Sequence, residues 1–196
     1  MKKLIKNYIK KQTPKILHKL RIECRRRLSF LQKESLTNTG YEAILKFSSK
    51  LRDTDVMLKI CENKKIRKFL KKRRKKLNKR FLKELKNIHF ETTKIENPIK
   101  TEITNCKEIL KDSFLGKSDK ELHKLRLKIK VCRYTNKEYE KEFKKLQDAL
   151  GKAHDLYNCE KLSVKMDANY LNITNKKKKK IFEAEKLREE IYTILP

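Results

Sequence analysis

Residues 13–31 read TPKILHKLRIECRRRLSFL, and this stretch decides the fold class that the sequence predicts. Threonine followed by proline is typical of a helix start, since threonine caps the first turn and proline fits the first helical position. The apolar residues that follow lie three or four positions apart: Leu17, Leu20, Cys24, Leu28 and Leu31. Because that spacing places them on one face of a helix, the stretch predicts an amphipathic α-helix with one buried side.

The same periodicity continues along the rest of the chain. It predicts helices over about 41–61, 64–88, 138–165 and 175–195, with a loop at 34–40. A further short helix is expected to end near Lys111, after a break at Asn97-Pro98. Ser118 and Glu121 are spaced as a capping box, which predicts the start of another helix. Since the chain has only three Gly and three Pro to make turns, we expect an all-α fold rather than a β-sandwich or barrel.

The charge of the chain indicates its partners. Its 196 residues contain 55 Lys and Arg against 25 Asp and Glu, a formal net charge of +30. A protein this basic attracts polyanions, so nucleic acid, an anionic membrane surface and a phosphate polymer are the candidate partners. High charge with low hydropathy is also typical of disordered chains. The regular apolar faces argue against disorder, because they predict helices with a side to bury.

The five cysteines are spread singly, without a Cys-x-x-Cys pair: Cys24, Cys61, Cys106, Cys132 and Cys159. This pattern is unlike a secreted disulfide framework or a zinc ribbon, and we expect reduced, buried thiols. The first ten residues are charged and lack the apolar segment of a signal peptide. No stretch approaches the roughly 18 apolar residues of a transmembrane helix. We therefore expect a cytoplasmic protein with no membrane partner.

The chain contains an internal repeat. His18-Lys19-Leu20-Arg21 recurs 105 residues later as His123-Lys124-Leu125-Arg126, and each copy opens a helix with matching apolar positions. Leu51-Arg52-Asp53-Thr54-Asp55-Val56 has a weaker counterpart in residues 150–156. The repeat predicts a single domain over 1–196 made of two related helical halves, about 1–96 and 97–196, which pack about a pseudo-twofold axis.

Each copy carries a stripe of basic side chains at helical spacing. In the second copy the stripe is His123, Arg126, Lys130 and Arg133, and in the first it is His18, Arg21 and Arg25. Each stripe lies beside the apolar face rather than opposite to it, so we expect the charges to line a groove between helices. One interpretation is that these side chains merely cover apolar surface with their stems. We favour an anion-binding groove, because no acidic partners are evident and guanidinium groups suit phosphate oxygens.

With these motifs the sequence resembles the conserved histidine α-helical domain (CHAD) family over nearly its whole length. The motifs that carry the resemblance are His18-x-x-Arg21-x-x-x-Arg25, Leu51-Arg52-Asp53-x-Asp55, His123-x-x-Arg126-x-x-x-Lys130-x-x-Arg133-Tyr134 and Leu146-Gln147-Asp148-x-Leu150-Gly151-x-x-x-Asp155. The resemblance implies two four-helix bundles around a central basic pore, non-enzymatic binding of inorganic polyphosphate, and association with polyphosphate granules. By position it implies that the pore is lined by His18, Arg21, Arg25, Arg52, His123, Arg126, Lys130 and Arg133.

The sequence departs from the family pattern at two places. Leu28 stands where the first half usually has a fourth basic residue, and His154 stands where an arginine usually precedes Asp155. We therefore expect the second half to dominate the binding of the anion.

Four aspartates accompany the basic stripes: Asp53, Asp55, Asp148 and Asp155. They are either metal ligands together with the histidines or supports that hold arginine side chains in place, and we favour the second role. The histidines lack the close spacing of a zinc site, and neither a nucleophile elbow nor a phosphate-binding glycine loop is present. Glu140-x-Glu142-x-Lys144 matches the signature of triphosphate tunnel enzymes, but its context is helical rather than a strand. We expect no enzymatic activity, cofactor or metal.

Two runs of basic residues lie outside the stripes. Residues 64–80 contain twelve basic side chains in seventeen positions, and Lys176–Lys180 are five consecutive lysines. Such runs bind any polyanion. Non-specific binding of nucleic acid is therefore the alternative function.

Overall fold

The computed structural model describes residues 1–95 and 106–196, and within them the chain is predominantly helical, which confirms the all-α class. Two compact units, Met1–Lys100 and Thr101–Pro196, divide the elements. The first contains α1 (Lys2–Lys11), α2 (Pro14–Lys33), β1 (Leu36–Asn38), α3 (Thr39–Phe47), α4 (Ser49–Ile60), α5 (Lys64–Lys86) and β2 (Thr92–Lys94). The second contains α6 (Cys106–Lys111), α7 (Asp119–Thr135), α8 (Glu140–Lys165) and α9 (Leu171–Ile194).

Helix α2 begins as its sequence predicts. The Thr13 hydroxyl accepts a hydrogen bond from the Ile16 amide at 3.3 Å, and Pro14 is the first helical residue. The predicted apolar face is buried at its first four positions, Leu17, Leu20, Cys24 and Leu28. This face packs in the core of the first unit with Tyr8, Ile44, Leu51 and Phe81.

Helix α1 was not predicted, and a buried tyrosine fixes it to the first unit. The Tyr8 ring lies 5.5 Å from the Phe81 ring, and its hydroxyl donates a hydrogen bond to the Asn78 side-chain oxygen. The Asn78 amide in turn donates to the Gln12 side chain at the end of α1. Burial raises the pKa of Tyr8 to about 12, although Arg74 acts against this shift.

The helix predicted over 41–61 is in fact two helices, and they meet at Ser48. Arg21 of α2 donates hydrogen bonds from Nη1 to the Leu45 carbonyl at 2.7 Å and to the Ser48 hydroxyl at 2.6 Å. The last carbonyls of a helix lack partners within the helix. The inserted guanidinium supplies one, so Arg21 stabilises the end of α3.

The segment 34–40 was predicted as a loop, but it contains strand β1. This strand pairs antiparallel with β2, Leu36 opposite Lys94 and Asn38 opposite Thr92. Gly40, in the first turn of α3, is buried beneath the chain that follows α5. A Cβ atom at position 40 would lie 2.7 Å from the His89 carbonyl oxygen and against the Phe90 ring, so only glycine fits there.

Helix α7 begins with the predicted capping box. The Ser118 hydroxyl accepts a hydrogen bond from the Glu121 amide, and the Glu121 carboxylate accepts one from the Ser118 amide at 2.7 Å. Helix α8 begins two residues later than predicted, and α9 begins four residues earlier. The break predicted at Asn97-Pro98 lies outside the described residues.

The prediction that the cysteines are reduced is wrong. Cys106 of α6 and Cys132 of α7 form a disulfide, with their Cα atoms 5.8 Å apart. Cys24 is a free, buried thiol, as predicted. Because 26 residues separate Cys106 from Cys132, sequence spacing alone gave no signal for the bond.

None of the helices in residues 1–95 and 106–196 is both long enough and apolar enough to span a membrane.

Candidate anion-binding sites

In the second unit the basic stripe of α7 lies against α8. A Cβ atom built on Gly151 would lie 3.3 Å from Arg126 Nε and 3.6 Å from one of its terminal nitrogens. The guanidinium therefore rests directly on the backbone of α8. The missing side chain at Gly151 makes room for it, which gives this glycine of the predicted motif a physical role.

One turn away, two histidines stack. The rings of His123 and His154 have centroids 4.4 Å apart and planes inclined by 30°. His123 precedes Arg126 by three residues in α7, and His154 follows Gly151 by three residues in α8. This is the spacing expected where two antiparallel helices pack against each other. From the sequence, His154 is notable only as a departure from the family pattern. The spacing of three residues that separates His123 from Arg126 also separates Gly151 from His154. This equality could have indicated that His154 lies against His123.

The two stacked histidines have polar atoms that lack partners. Nδ1 of His123 and Nδ1 of His154 are both buried, and neither has a hydrogen-bond partner among the described residues. Three further atoms of α7 and α8 are buried and have no hydrogen-bond partner within the described part of the chain: Arg126 Nε, Arg133 Nε and Gln147 Oε1. Buried polar atoms are normally hydrogen-bonded. Such a concentration on α7 and α8 indicates a place for an external ligand.

The electrostatics of this place favour an anion. Burial lowers the pKa of His154, and the nearby charges of His123 and Arg126 lower it further. Asp119 acts in the opposite direction. Its carboxylate is already engaged, since it lies 3.3 Å from Lys177 Nζ, which also contacts Glu160 at 2.5 Å. The charges of His123 and Arg126 therefore affect His154 more strongly than the carboxylate of Asp119 does.

The remaining residues of the second stripe differ from each other. Arg133 forms an ion pair with Glu140, Nη2 to Oε1 at 3.1 Å, and its guanidinium lies 5.3 Å from the Tyr134 ring centre. The expectation that Arg133 has no acidic partner is therefore wrong. Lys130 is half-buried on α7. Arg126 differs from both. Its guanidinium packs against the backbone of α8, and its buried Nε has no hydrogen-bond partner in the described residues.

In the first unit the structure gathers the predicted residues around His18. Partial burial lowers the pKa of His18, and the positive charges of Arg52, Arg25, Lys59 and Arg21 lower it further. Lys59 was missed by the sequence analysis. It follows Arg52 by seven residues in α4, so both lie on the same helical face, and this spacing could have revealed it.

Arg21 has a structural task within this cluster. It is buried, with 7% of its surface exposed, and it bonds Leu45 and Ser48 at the end of α3. Burial lowers its pKa to about 10, with a further contribution from Arg25. Its Nε has no hydrogen-bond partner in the described chain. Arg21 therefore supports the site, whereas Arg25 is exposed and accessible to a ligand.

The aspartates differ in their surroundings. Burial raises the pKa of Asp53, and the nearby charges of Arg21, Arg73 and Arg52 act against this shift, so Asp53 lies beside the basic stripe. Asp55 is buried and pairs with Arg74 Nε at 2.6 Å, and Arg74 also donates to the Gln12 carbonyl at 3.0 Å. The pair joins α4, α5 and the end of α1, so the partner of Asp55 is Arg74 and not Arg52. Asp148 is exposed on α8. Among the described residues no group of three His, Cys, Asp or Glu side chains is arranged to hold a metal ion.

The basic runs fall on helix surfaces. In the middle of α5 six lysines are exposed to solvent: Lys68, Lys71, Lys72, Lys75, Lys76 and Lys79. Within the run of five on α9, Lys177 and Lys180 are paired with Glu160 and Glu183. The α5 surface is therefore the more available of the two.

The Glu140-x-Glu142-x-Lys144 motif lies at the start of α8. Alternate residues of a helix point in different directions, so the two glutamates do not share a surface as they would in a strand. This agrees with the helical context expected from the sequence.

No protein-family model, no curated protein and no solved structure matches this chain.

Proposed function

We propose that this protein binds inorganic polyphosphate without catalysing a reaction on it. The observation that carries the proposal is the cluster formed by His123, His154 and Arg126. It holds buried nitrogen atoms without hydrogen-bond partners among the described residues, in surroundings of positive charge. A buried polar group without a partner costs free energy. A bound anion removes this cost by accepting the missing hydrogen bonds.

The chemistry of the donors favours phosphate. Arginine Nε and a protonated imidazole Nδ1 both donate hydrogen bonds to oxygen, and bonds to a charged acceptor are the stronger kind. A phosphoryl group presents several oxygens, so it can accept from more than one of these donors at once.

The second basic cluster favours a polymer over a single ion. His18 is surrounded by Arg52, Arg25, Lys59 and Arg21 in the first unit, so the chain carries two separate basic stripes. A linear polyanion can neutralise both and release counterions from each. The arrangement of the two halves around a common pore, the cytoplasmic location and the association with granules are implied by the CHAD resemblance and belong to this proposal.

The test is the substitution Arg126→Ala. Loss of charge-assisted hydrogen bonds at this position should weaken polyphosphate binding about tenfold. The affinity is measured by isothermal titration calorimetry with long-chain polyphosphate at about 150 mM salt, where weak non-specific binding fades.

The matched control is Lys161→Ala, which removes one positive charge from an exposed position of α8. It should change the affinity by less than about twofold, and circular dichroism should show that both variants keep their helical content. If Arg126→Ala binds polyphosphate within twofold of the unsubstituted protein, the assignment of this site is wrong.

A second candidate function is non-specific binding of nucleic acid by the exposed lysine surface of α5. Its supporting observation is the row of six exposed lysines between Lys68 and Lys79. We expect Lys72→Glu plus Lys76→Glu to weaken binding of single-stranded DNA by a larger factor than binding of polyphosphate. Competition between the two polymers, matched in charge, decides between the functions: a preference of a hundredfold or more for polyphosphate supports the first.

A further inference from the structure

The second unit has an open groove that the anion-binding residues do not use. Its volume is about 750 Å³, and it lies between residues 115–117 and α9. Leu115 and Phe182 line it from opposite sides and are 49% and 53% exposed. Apolar side chains facing each other across an open groove are typical of a binding surface.

Four lysines line the groove, and two of them lie at its ends: the four are Lys117, Lys178, Lys179 and Lys186. Lys178, Phe182 and Lys186 follow one another at intervals of four residues, so they form one row along α9. Eight residues of helix span about 12 Å, which places a lysine at each end and the phenylalanine in the middle. The Nζ atom of Lys186 lies 5.1 Å from the Phe182 ring centre. Glu183, the acid in the lining, is paired with Lys180.

The wall opposite α9 is held in place before any ligand arrives. Phe114 is fully buried, and its amide donates a hydrogen bond to Glu185 Oε2 at 2.7 Å. Arg188 donates to the Leu110 carbonyl at 2.8 Å and pairs with Glu185. Both charged residues are themselves buried on α9. The groove is therefore preformed, and a ligand need not order it.

We propose that this groove binds an acidic peptide segment of a partner protein, with one apolar side chain between flanking carboxylates. The apolar side chain contacts Leu115 and Phe182, and the carboxylates pair with Lys178 and Lys186. In an extended peptide, residues four positions apart are separated by about 13 Å, which matches the row on α9. An amphiphile with a single anionic head, such as a lipid, would engage a lysine at one end only.

The probe is a capped five-residue peptide with phenylalanine between two pairs of glutamates. Binding is followed by NMR chemical-shift titration of the full chain at about 150 mM salt, with the amides of residues 115 and 182 as reporters. We expect Phe182→Ser to weaken the peptide at least about fivefold, since roughly half of a phenylalanine side chain is removed from the contact. Lys178→Glu should weaken it by a similar factor.

Phe30→Ser is the matched control. Phe30 is also an exposed phenylalanine beside a cation, 57% exposed and 5.7 Å from the Arg26 guanidinium, but it lies in the first unit. It should leave peptide binding unchanged. A control peptide with serine in place of the central phenylalanine should bind at least about fivefold more weakly.

Three results would overturn the proposal: equal binding of the serine peptide, equal binding to Phe182→Ser, or binding of dodecyl phosphate in the groove without binding of the peptide. The proposal is independent of polyphosphate binding. Arg126→Ala should therefore bind the peptide normally, and a failure of either proposal leaves the other intact.

Discussion

At the scale of single residues, Gly151 determines where the Arg126 guanidinium lies. An alanine there would place its Cβ atom 3.3 Å from Arg126 Nε, so the flexible side chain would have to shift. We expect Gly151→Ala to weaken polyphosphate binding several-fold. The same substitution should raise the free energy of unfolding by roughly 0.5 kcal/mol, because alanine is the better residue in a helix interior. Calorimetric titration and urea denaturation measure the two effects separately. Unchanged affinity would mean that the position of the guanidinium is unimportant for the ligand.

His154 should make stability and binding depend on pH in opposite directions. Its pKa is lower in the folded protein than the ordinary value of 6.5, so below that pH the unfolded chain binds the proton more readily. The free energy of unfolding should therefore fall as the pH is lowered from about 7.5 through 6.5 toward the folded pKa. A bound anion favours the protonated imidazole, so polyphosphate affinity should rise over the same interval.

Both slopes can be measured by thermal denaturation and by polyphosphate titration across the pH range. His154→Phe keeps a ring against His123 and should reduce both slopes, leaving the part that His18 contributes. His89→Gln, at an exposed position after α5, should alter neither slope. Equal pH dependence of the His154→Phe variant and the unsubstituted protein would contradict the assignment.

The residues of the site differ in how far the sequence could predict them. The stripe of His18, Arg21 and Arg25 follows from helical spacing within α2, whereas the contact of Arg126 with Gly151 joins α7 to α8. The Arg133–Glu140 ion pair depends on the turn between α7 and α8, which no periodicity describes. Arg21 fits the stripe by spacing, yet its bonds to Leu45 and Ser48 come from a different helix. Sequence spacing therefore predicts which face of a helix a side chain lies on, but not which residues of other helices it contacts.

At the scale of secondary-structure elements, the disulfide between Cys106 and Cys132 ties α6 to α7. The two cysteines lie 26 positions apart in the sequence, for which loop-closure entropy suggests a stabilisation of about 3 kcal/mol. We expect Cys106→Ala plus Cys132→Ala to lower the free energy of unfolding by about this amount in urea denaturation. Cys24→Ala, which removes a free buried thiol, should cost roughly 1 kcal/mol.

Peptide mapping under non-reducing conditions gives an independent check of the bond. A peptide containing Cys106 should be recovered in covalent linkage with one containing Cys132. Recovery of both cysteines as free thiols would restore the original expectation of a reduced pair.

Elements whose signals are local were predictable, and those that depend on distant partners were not. The capping box of α7 lies within four consecutive residues, and α2 is predicted by its N-cap and its apolar spacing. Helix α1 depends on Tyr8 reaching Asn78, 70 residues away. The β1–β2 ladder joins Leu36 to Lys94. The division at Ser48 likewise requires Arg21 from the preceding helix.

At the scale of the whole molecule, charge opposes folding. With 55 basic and 25 acidic side chains, repulsion among cations exceeds the attraction that ion pairs can provide. We expect the melting temperature to rise when salt is increased from about 20 to 300 mM, because screening shortens the range of this repulsion. Scanning calorimetry measures the shift. At low salt, polyphosphate should raise the melting temperature further, since the proposed binding sites are assembled only in the folded state, which should therefore bind the polymer more tightly than the unfolded chain does. A melting temperature that falls with added salt would contradict the view that repulsion dominates.

Because Gly40 fits tightly beneath His89 and Phe90, the fold should tolerate no other residue at position 40 during evolution. In a library of single-codon variants selected for expression, every non-glycine codon at position 40 should be depleted, because a side chain there meets backbone that cannot move aside. Gly116 offers the comparison: its φ is +78°, but no atom lies within 4 Å of the Cβ position. Asparagine should therefore survive selection at 116 and not at 40. The selected variants should therefore keep glycine at position 40 and vary at position 116.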